Sequence, residues 1–201
     1  MSLIHRFLSV SLPLLLTGCL ATNSLSYQFY LLEPLTNADK PLNETPKLVI
    51  ALQTVRIPKY VDRPQIVQAT APNTYQLSEA QRWAEALDEN ITRVLAQNLT
   101  QLLAADVLFS SHTNLAKQAG IRLSVNILEF HVTPEAQAKL NVQWQISQEG
   151  GVVSSQQSSY QANASNSDYP AMISALNDCL NRMSRDIAKS IATAHQLKNT
   201  D

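Results

Sequence analysis

Residues 55–67 read VRIPKYVDRPQIV, and how this stretch folds decides how the rest of the chain is arranged. Pro58 and Pro64 fix φ near −65° and bias Ile57 and Arg63 towards extended geometry, so neither a helix nor an unbroken central strand runs through it. The segment must turn at the surface. Its composition is nevertheless not that of a solvated loop, because Ile57, Val61, Ile66 and Val67 are apolar and Tyr60 is aromatic. Together these properties predict a rigid, half-buried bend or contact surface, with Asp62 and Arg63 adjacent where their charges are either presented or paired. An irregular strand connection that only caps the core has the same composition, and the residues alone do not separate the two.

Working outward, Tyr27–Leu32 (YQFYLL) is aromatic and apolar enough for a strand, 36–46 is a loop rich in Asn, Pro and Thr, and 47–55 (KLVIALQTV) is a nearly continuous apolar strand covered on both faces. Beyond the bend, Gln65–Thr70 and Thr74–Leu77 are short strands around Pro72-Asn73, whose turn chemistry predicts a hairpin. Ser78, with Gln81 three residues later, reads as a capping box. Trp83, Leu87, Ile91, Val94, Leu95, Leu99 and Leu102 then recur at helical spacing, predicting a helix over roughly 79–103 with one stripe against a sheet. Asp88, Glu89 and Arg93 fall on its polar side, as solvated charges or i,i+4 pairs.

Val107–Phe109 is a short strand, and Gly120 marks a turn into the clearest β alternation, Ile121, Leu123, Val125 and Ile127. Leu128, followed by Phe130 and Val132, shifts the phase as a bulge would. Leu140, Val142, Trp144 and Ile146 alternate next, before a turn at Glu149-Gly150-Gly151. Val152–Gln161 returns as a Ser/Gln-rich strand with little to bury, hence an edge or a strand with a wet face. From Asp168, with Pro170 tolerated in the first turn, Met172, Leu176, Cys179, Leu180, Met183, Ile187 and Ile191 describe a second amphipathic helix. The expected fold class is α+β, a single domain with an antiparallel sheet packed on one face by two amphipathic helices.

The N-terminus carries an address. His5 and Arg6 precede an apolar run from Phe7 to Leu16, too short to cross a bilayer, which needs roughly 20 residues, and of the length of a signal-peptide core. Leu16-Thr17-Gly18-Cys19 follows and resembles a bacterial lipobox, which makes the Cys19 thiol the lipidation site. Leu20 comes next, with no Asp there to retain the protein at the inner membrane, so the expected location is the periplasmic face of the outer membrane. The chain thus divides into a signal peptide (1–18), a lipidated tether (19–26), a domain (27–197) and a tail (198–201). Three acyl chains, at about 0.8 kcal/mol per buried methylene, give effectively permanent attachment. Residues 20–26 reach roughly 20–25 Å at about 3.3 Å per residue, so the domain sits close to its membrane.

Removing residues 1–18 removes Arg6 and no acid, which takes the 15 basic side chains to 14 against 16 acidic ones, a net charge of −2. Such a balance has nothing to attract nucleic acid. Cys179, spaced helically from Leu176 and Met183, reads as a small buried apolar residue. Four glycines leave no phosphate-cradling loop, and GxSxG, HExxH and CxxC are absent. His112, His131 and His195 lie on different predicted elements without carboxylate or cysteine at ligand spacing, so no metal, cofactor or catalytic residue is expected. The four Asn-x-Ser/Thr sites at Asn43, Asn90, Asn98 and Asn163 carry no meaning in a bacterium.

The run Ile57–Val67 (IPKYVDRPQIV), followed by Arg82–Leu87 (RWAEAL), resembles the PqiC-type auxiliary lipoproteins of MCE-family lipid transport systems. Val61 stands where that pattern usually has leucine. Tyr30-Leu31-Leu32 and Leu140–Trp144 also look like the family, and the similarity covers essentially the whole mature chain. The resemblance implies a lipoprotein of a trans-envelope apparatus, in which inner-membrane MCE proteins form a tube across the periplasm and the lipoprotein docks or caps its far end. It implies an MCE-domain partner and a homo-oligomer, because members of this kind can assemble as rings. Tyr60, Asp62, Arg63 and Pro64 are the expected partner or subunit contact, together with the Ser/Gln-rich strand. A lipoprotein plug or assembly chaperone for an outer-membrane β-barrel would share the anchor and the domain; a periplasmic hydrolase would need a cleft of perturbed titratable groups.

Overall fold

The structure, a computed structural model, describes residues 26–36, 48–109 and 119–198. In chain order its elements are β1 (Gln28–Tyr30), β2 (Val49–Leu52), β3 (Gln65–Ala71), β4 (Thr74–Trp83), α1 (Leu87–Leu103), β5 (Asp106–Phe109), β6 (Ile121–Val132), β7 (Gln137–Gln148), β8 (Gly151–Asn163) and α2 (Tyr169–Lys198). The content is α+β, with all eight strands in one sheet. Cys19, His112 and Asn43 lie outside the described residues.

The sheet is mixed, which corrects the expectation of an antiparallel one. β6 pairs antiparallel with β7 along one edge and parallel with both β2 and β3 along the other, while β1 runs parallel to β4 and β5 parallel to β2. The reason is connectivity. Parallel neighbours need a crossover, and the chain between β2 and β5 passes through α1, which supplies one. Within this frame β3–β4 and β6–β7–β8 remain antiparallel hairpins. Asn73 takes a left-handed φ of 61° at the first hairpin turn, and Gly150, at φ 100°, makes the tight turn between Gln148 and Gly151.

The alternation in β6 and β7 places Leu123, Val125, Ile127, Leu140, Val142, Trp144 and Ile146 in the core. The expected phase shift is a register irregularity between Ile127 and Glu129, which leaves Leu128 exposed and returns Phe130 to the interior. β2 is covered on both faces. Ile50 and Leu52 belong to the main core, and Ala51 packs with Ala119 on the other side. α2 lies across β6, β7 and β8, and α1 packs on α2 and on β5, so the two helices do not share the sheet in the simple way expected. Asp168 begins α2: its carboxylate accepts the Ala171 N–H (2.8 Å). Cys179 is fully buried, and burial pushes its thiol up to about 11.

A second correction concerns 79–103. The helix begins at Leu87, and 78–83 belongs to β4. Ser78 does accept the Gln81 N–H (3.1 Å), the local bond that a capping box would contain, but it does so inside a strand. Pairing on both sides overrides the local preference: Arg82 faces Gln65 of β3, and Gln81–Trp83 align with Gln28–Tyr30 of β1. Trp83 is buried all the same, its ring 6.5 Å from that of Phe130, as a strand residue and not as the head of a helical stripe. Arg93 is paired with Glu85, which precedes the helix, instead of making an i,i+4 pair.

The irregular segment after β1 is held by helix side chains. The Leu32 N–H donates to Asn90 Oδ1 (2.8 Å), whose amide donates back to the Leu32 carbonyl (3.1 Å), and the Leu35 N–H donates to Asn98 Oδ1 (2.8 Å). The Val55 N–H donates to Thr92 Oγ1 (2.9 Å). All three side chains are buried on α1 and replace a missing sheet partner, as buried backbone groups require.

Candidate interaction surfaces

The bend interrupts a track that the chain follows along one edge of β6. Beyond β2, the Gln53 N–H donates to the Leu123 carbonyl and the Arg56 N–H to that of Val125, both at 3.0 Å, and the Ile127 N–H donates to the Arg56 carbonyl (2.8 Å). Contact resumes in β3, where Gln68 aligns with Val132. Between them the backbone leaves the edge at Pro58 and folds into a turn in which the N–H groups of Val61 and Asp62 both donate to the Pro58 carbonyl, at 3.1 and 3.2 Å. Proline at this point supplies the fixed φ and has no N–H to leave unpaired.

Tyr60 fills the gap so created. Its hydroxyl accepts the Phe130 N–H (3.1 Å) and lies 3.1 Å from His131 Nδ1, so a side chain stands where a strand backbone would otherwise bond β6. Burial pushes the phenol up to about 12, with the Phe130 N–H opposing the shift, and burial pushes His131 down, which favours its neutral form. Tyr75 completes an aromatic cluster, its ring 5.1 Å from that of Tyr60 and 5.4 Å from that of His131.

The four expected contact residues therefore separate into two kinds. Tyr60 is turned inward and fixes the bend, whereas Asp62, Arg63 and Pro64 are exposed. Asp62 pairs with Lys59 (2.7 Å) and not with Arg63. Arg63 has no side-chain partner among the described residues.

Beside the bend, the sheet face opposite α2 forms a cleft of about 720 Å³ between the 53–56 segment and the outward rows of β6, β7 and β8. Arg56, Arg122, Ser124, Asn126, Gln143 and Gln157 line it, and among the described residues no carboxylate does. The Gln143 amide donates to Gln157 Oε1 (2.8 Å), which ties two of its rows together. β8 bounds the sheet there and, among the described residues, pairs only with β7. Its thirteen residues, GVVSSQQSSYQAN, include neither a charge nor a proline, and most are exposed. Charges and prolines are what usually blunt an edge strand, so this one remains open to pairing. Among the described residues no group of three His, Cys, Asp or Glu side chains is placed to hold a metal.

The model of the family described as "ABC-type transport auxiliary lipoprotein component" matches residues 30–188, well over half of the chain. The chain belongs to this family. The match takes in the bend, the cleft, β8 and most of α2, so these surfaces are part of the lipoprotein family's own domain. No curated protein matches the chain. Protein XCC0632 from Xanthomonas campestris superposes with a TM-score of 0.71 at 12% identity, over 87% of this chain and 100% of that one. A solved structure described as an uncharacterized protein superposes at 0.64 with 18% identity, over 83% and 99% of the two chains. Both share the fold. Among the described residues, no helix is long and apolar enough to cross a membrane.

Proposed function

We propose that this lipoprotein is the outer-membrane component of a trans-envelope MCE-type lipid transport system, anchored through Cys19 and docking or capping the periplasmic MCE tube. The observation that carries this reading is family membership over residues 30–188, which makes the chain an auxiliary component of an ABC-type transport system. A protein of that kind acts by holding partners, and the surfaces open for contact here include the Asp62-Arg63-Pro64 corner and the unblunted edge of β8. We assign subunit and MCE contacts to these two. Tyr60 takes part by fixing the corner, which lowers the ordering cost of association.

Two variants separate contact from support. Arg63→Ala is expected to melt like the wild type and yet to weaken self-assembly, measured by light scattering, or capture of the MCE protein; Arg63→Lys should not restore it, because an ammonium lacks the bidentate fork. Tyr60→Phe orphans the Phe130 N–H and is expected to lose about 1–3 kcal/mol of stability in urea unfolding. An Arg63→Ala protein that assembles and binds normally would remove the corner from the contact.

A further inference from the structure

Phe29 of the first strand, with Tyr27 and Leu31 on either side of it, forms an apolar stripe that stays exposed among the described residues. Tyr27, Phe29 and Leu31 alternate outward and are 48%, 63% and 42% exposed, and Phe29 is the most exposed large apolar residue described. Among the described residues β1 is an edge strand, paired with β4 alone, and its register sets Phe29 beside Arg82. The Arg82 guanidinium rests 4.6 Å from the centre of the Tyr27 ring, its Nε donating to the Glu79 carbonyl (3.0 Å) and its Nη2 lying 3.6 Å from the Glu79 carboxylate. Exposed Glu33 ends the stripe on the far side.

We propose that Tyr27, Phe29 and Leu31, with Arg82, form a membrane-contacting patch that settles into the headgroup region of the bilayer holding the lipid. This rests on lipidation at Cys19. Seven residues, 20–26, separate that cysteine from Tyr27 and span at most about 25 Å when fully extended, so β1 is the part of the domain that the anchor keeps nearest the bilayer. The composition suits that place. A phenol beside a phenyl ring and a leucine offers an apolar body with one polar tip, which favours the membrane interface, and an arginine held over the tyrosine places a cation at the level of lipid phosphates. Contact at the patch would fix the orientation of the domain, with β8 and the bend held in a constant relation to the membrane plane.

The test uses the mature lipidated protein carrying Phe29→Trp, reconstituted in phosphatidylethanolamine–phosphatidylglycerol vesicles with or without brominated acyl chains. Trp83 and Trp144 are buried and supply a constant background, read from the wild type. Brominated lipid is expected to quench the introduced indole while aqueous iodide does not, and Gln97→Trp, at an exposed position of α1, is expected to show the reverse. An indole at position 29 that iodide quenches and brominated lipid does not would overturn the inference. So would one shielded from both, which would mean that a second copy or another protein covers the stripe. Mass spectrometry of the Cys19 peptide reports the anchor separately: an unacylated Cys19 defeats the anchoring reading and this inference with it, whereas an acylated protein with an iodide-accessible indole defeats this inference alone.

Discussion

Asn98→Ala is expected to destabilise the domain by about 2–4 kcal/mol, far more than its polar character would suggest, because it combines a lost buried acceptor with a small cavity. Asn98 is fully buried. Its Oδ1 accepts the Leu35 N–H, and its amide donates to Asn181 Oδ1 (2.9 Å) and Ser184 Oγ (3.0 Å), so one side chain joins the segment after β1 to both helices. Alanine leaves the Leu35 N–H without a partner in a buried position and unties α1 from α2. The adjacent Gln97, exposed on the same helix, gives the comparison: Gln97→Ala should stay within about 0.5 kcal/mol. Urea unfolding of the two variants side by side checks the claim, and equal midpoints would mean that the segment after β1 contributes little to the cooperative unit.

Cys19→Ser is expected to have the largest effect in the cell. The thiol is the only group of the Leu16–Cys19 motif that can receive the lipid, so the variant should accumulate as an uncleaved precursor, or as a species without lipid, that no longer fractionates with the outer membrane. On the proposed lipidation, burial of the acyl chains would supply the attachment, at about 0.8 kcal/mol per methylene. The domain itself should fold unchanged. Normal outer-membrane fractionation of Cys19→Ser would remove the lipobox from the account.

Much of this architecture was legible because period-2 burial is hard to mistake over long strands. β6, β7 and β8, the phase shift at Leu128, the Glu149-Gly150 turn and the span of α2 all follow from alternation or helical spacing. The start of α1 was not legible. Trp83 and Leu87 fit a helical period, and the signal that 78–83 is a strand lies in its two neighbours, β1 and β3, which are distant in sequence. The parallel pairings were hidden for the same reason, since local pattern does not report which edge a strand joins. As Asn-x-Ser/Thr sequons Asn90 and Asn98 carry no signal, yet both lie among the apolar positions of α1. An amide in such a stripe has to bond something, and here it bonds backbone that has no strand to pair with. At the bend, the prolines announced a turn and the apolar residues its half-burial. That Tyr60 points inward while Arg63 does not depends on the missing ladder bond at Phe130, which only the fold reveals.

The lipoprotein is proposed to meet an MCE protein through the Asp62-Arg63-Pro64 corner and the β8 edge. The direct measurement is site-specific photocrosslinking in intact cells, with the crosslinker at Arg63 and at Gln157, followed by purification from envelope membranes and identification of what is joined. The account predicts an MCE-domain protein, further copies of this chain, or both, at these two positions, and neither at exposed Gln97 on α1. Recovery of an outer-membrane β-barrel at Arg63 and Gln157, with no MCE protein, would contradict it and favour a plug or assembly chaperone instead.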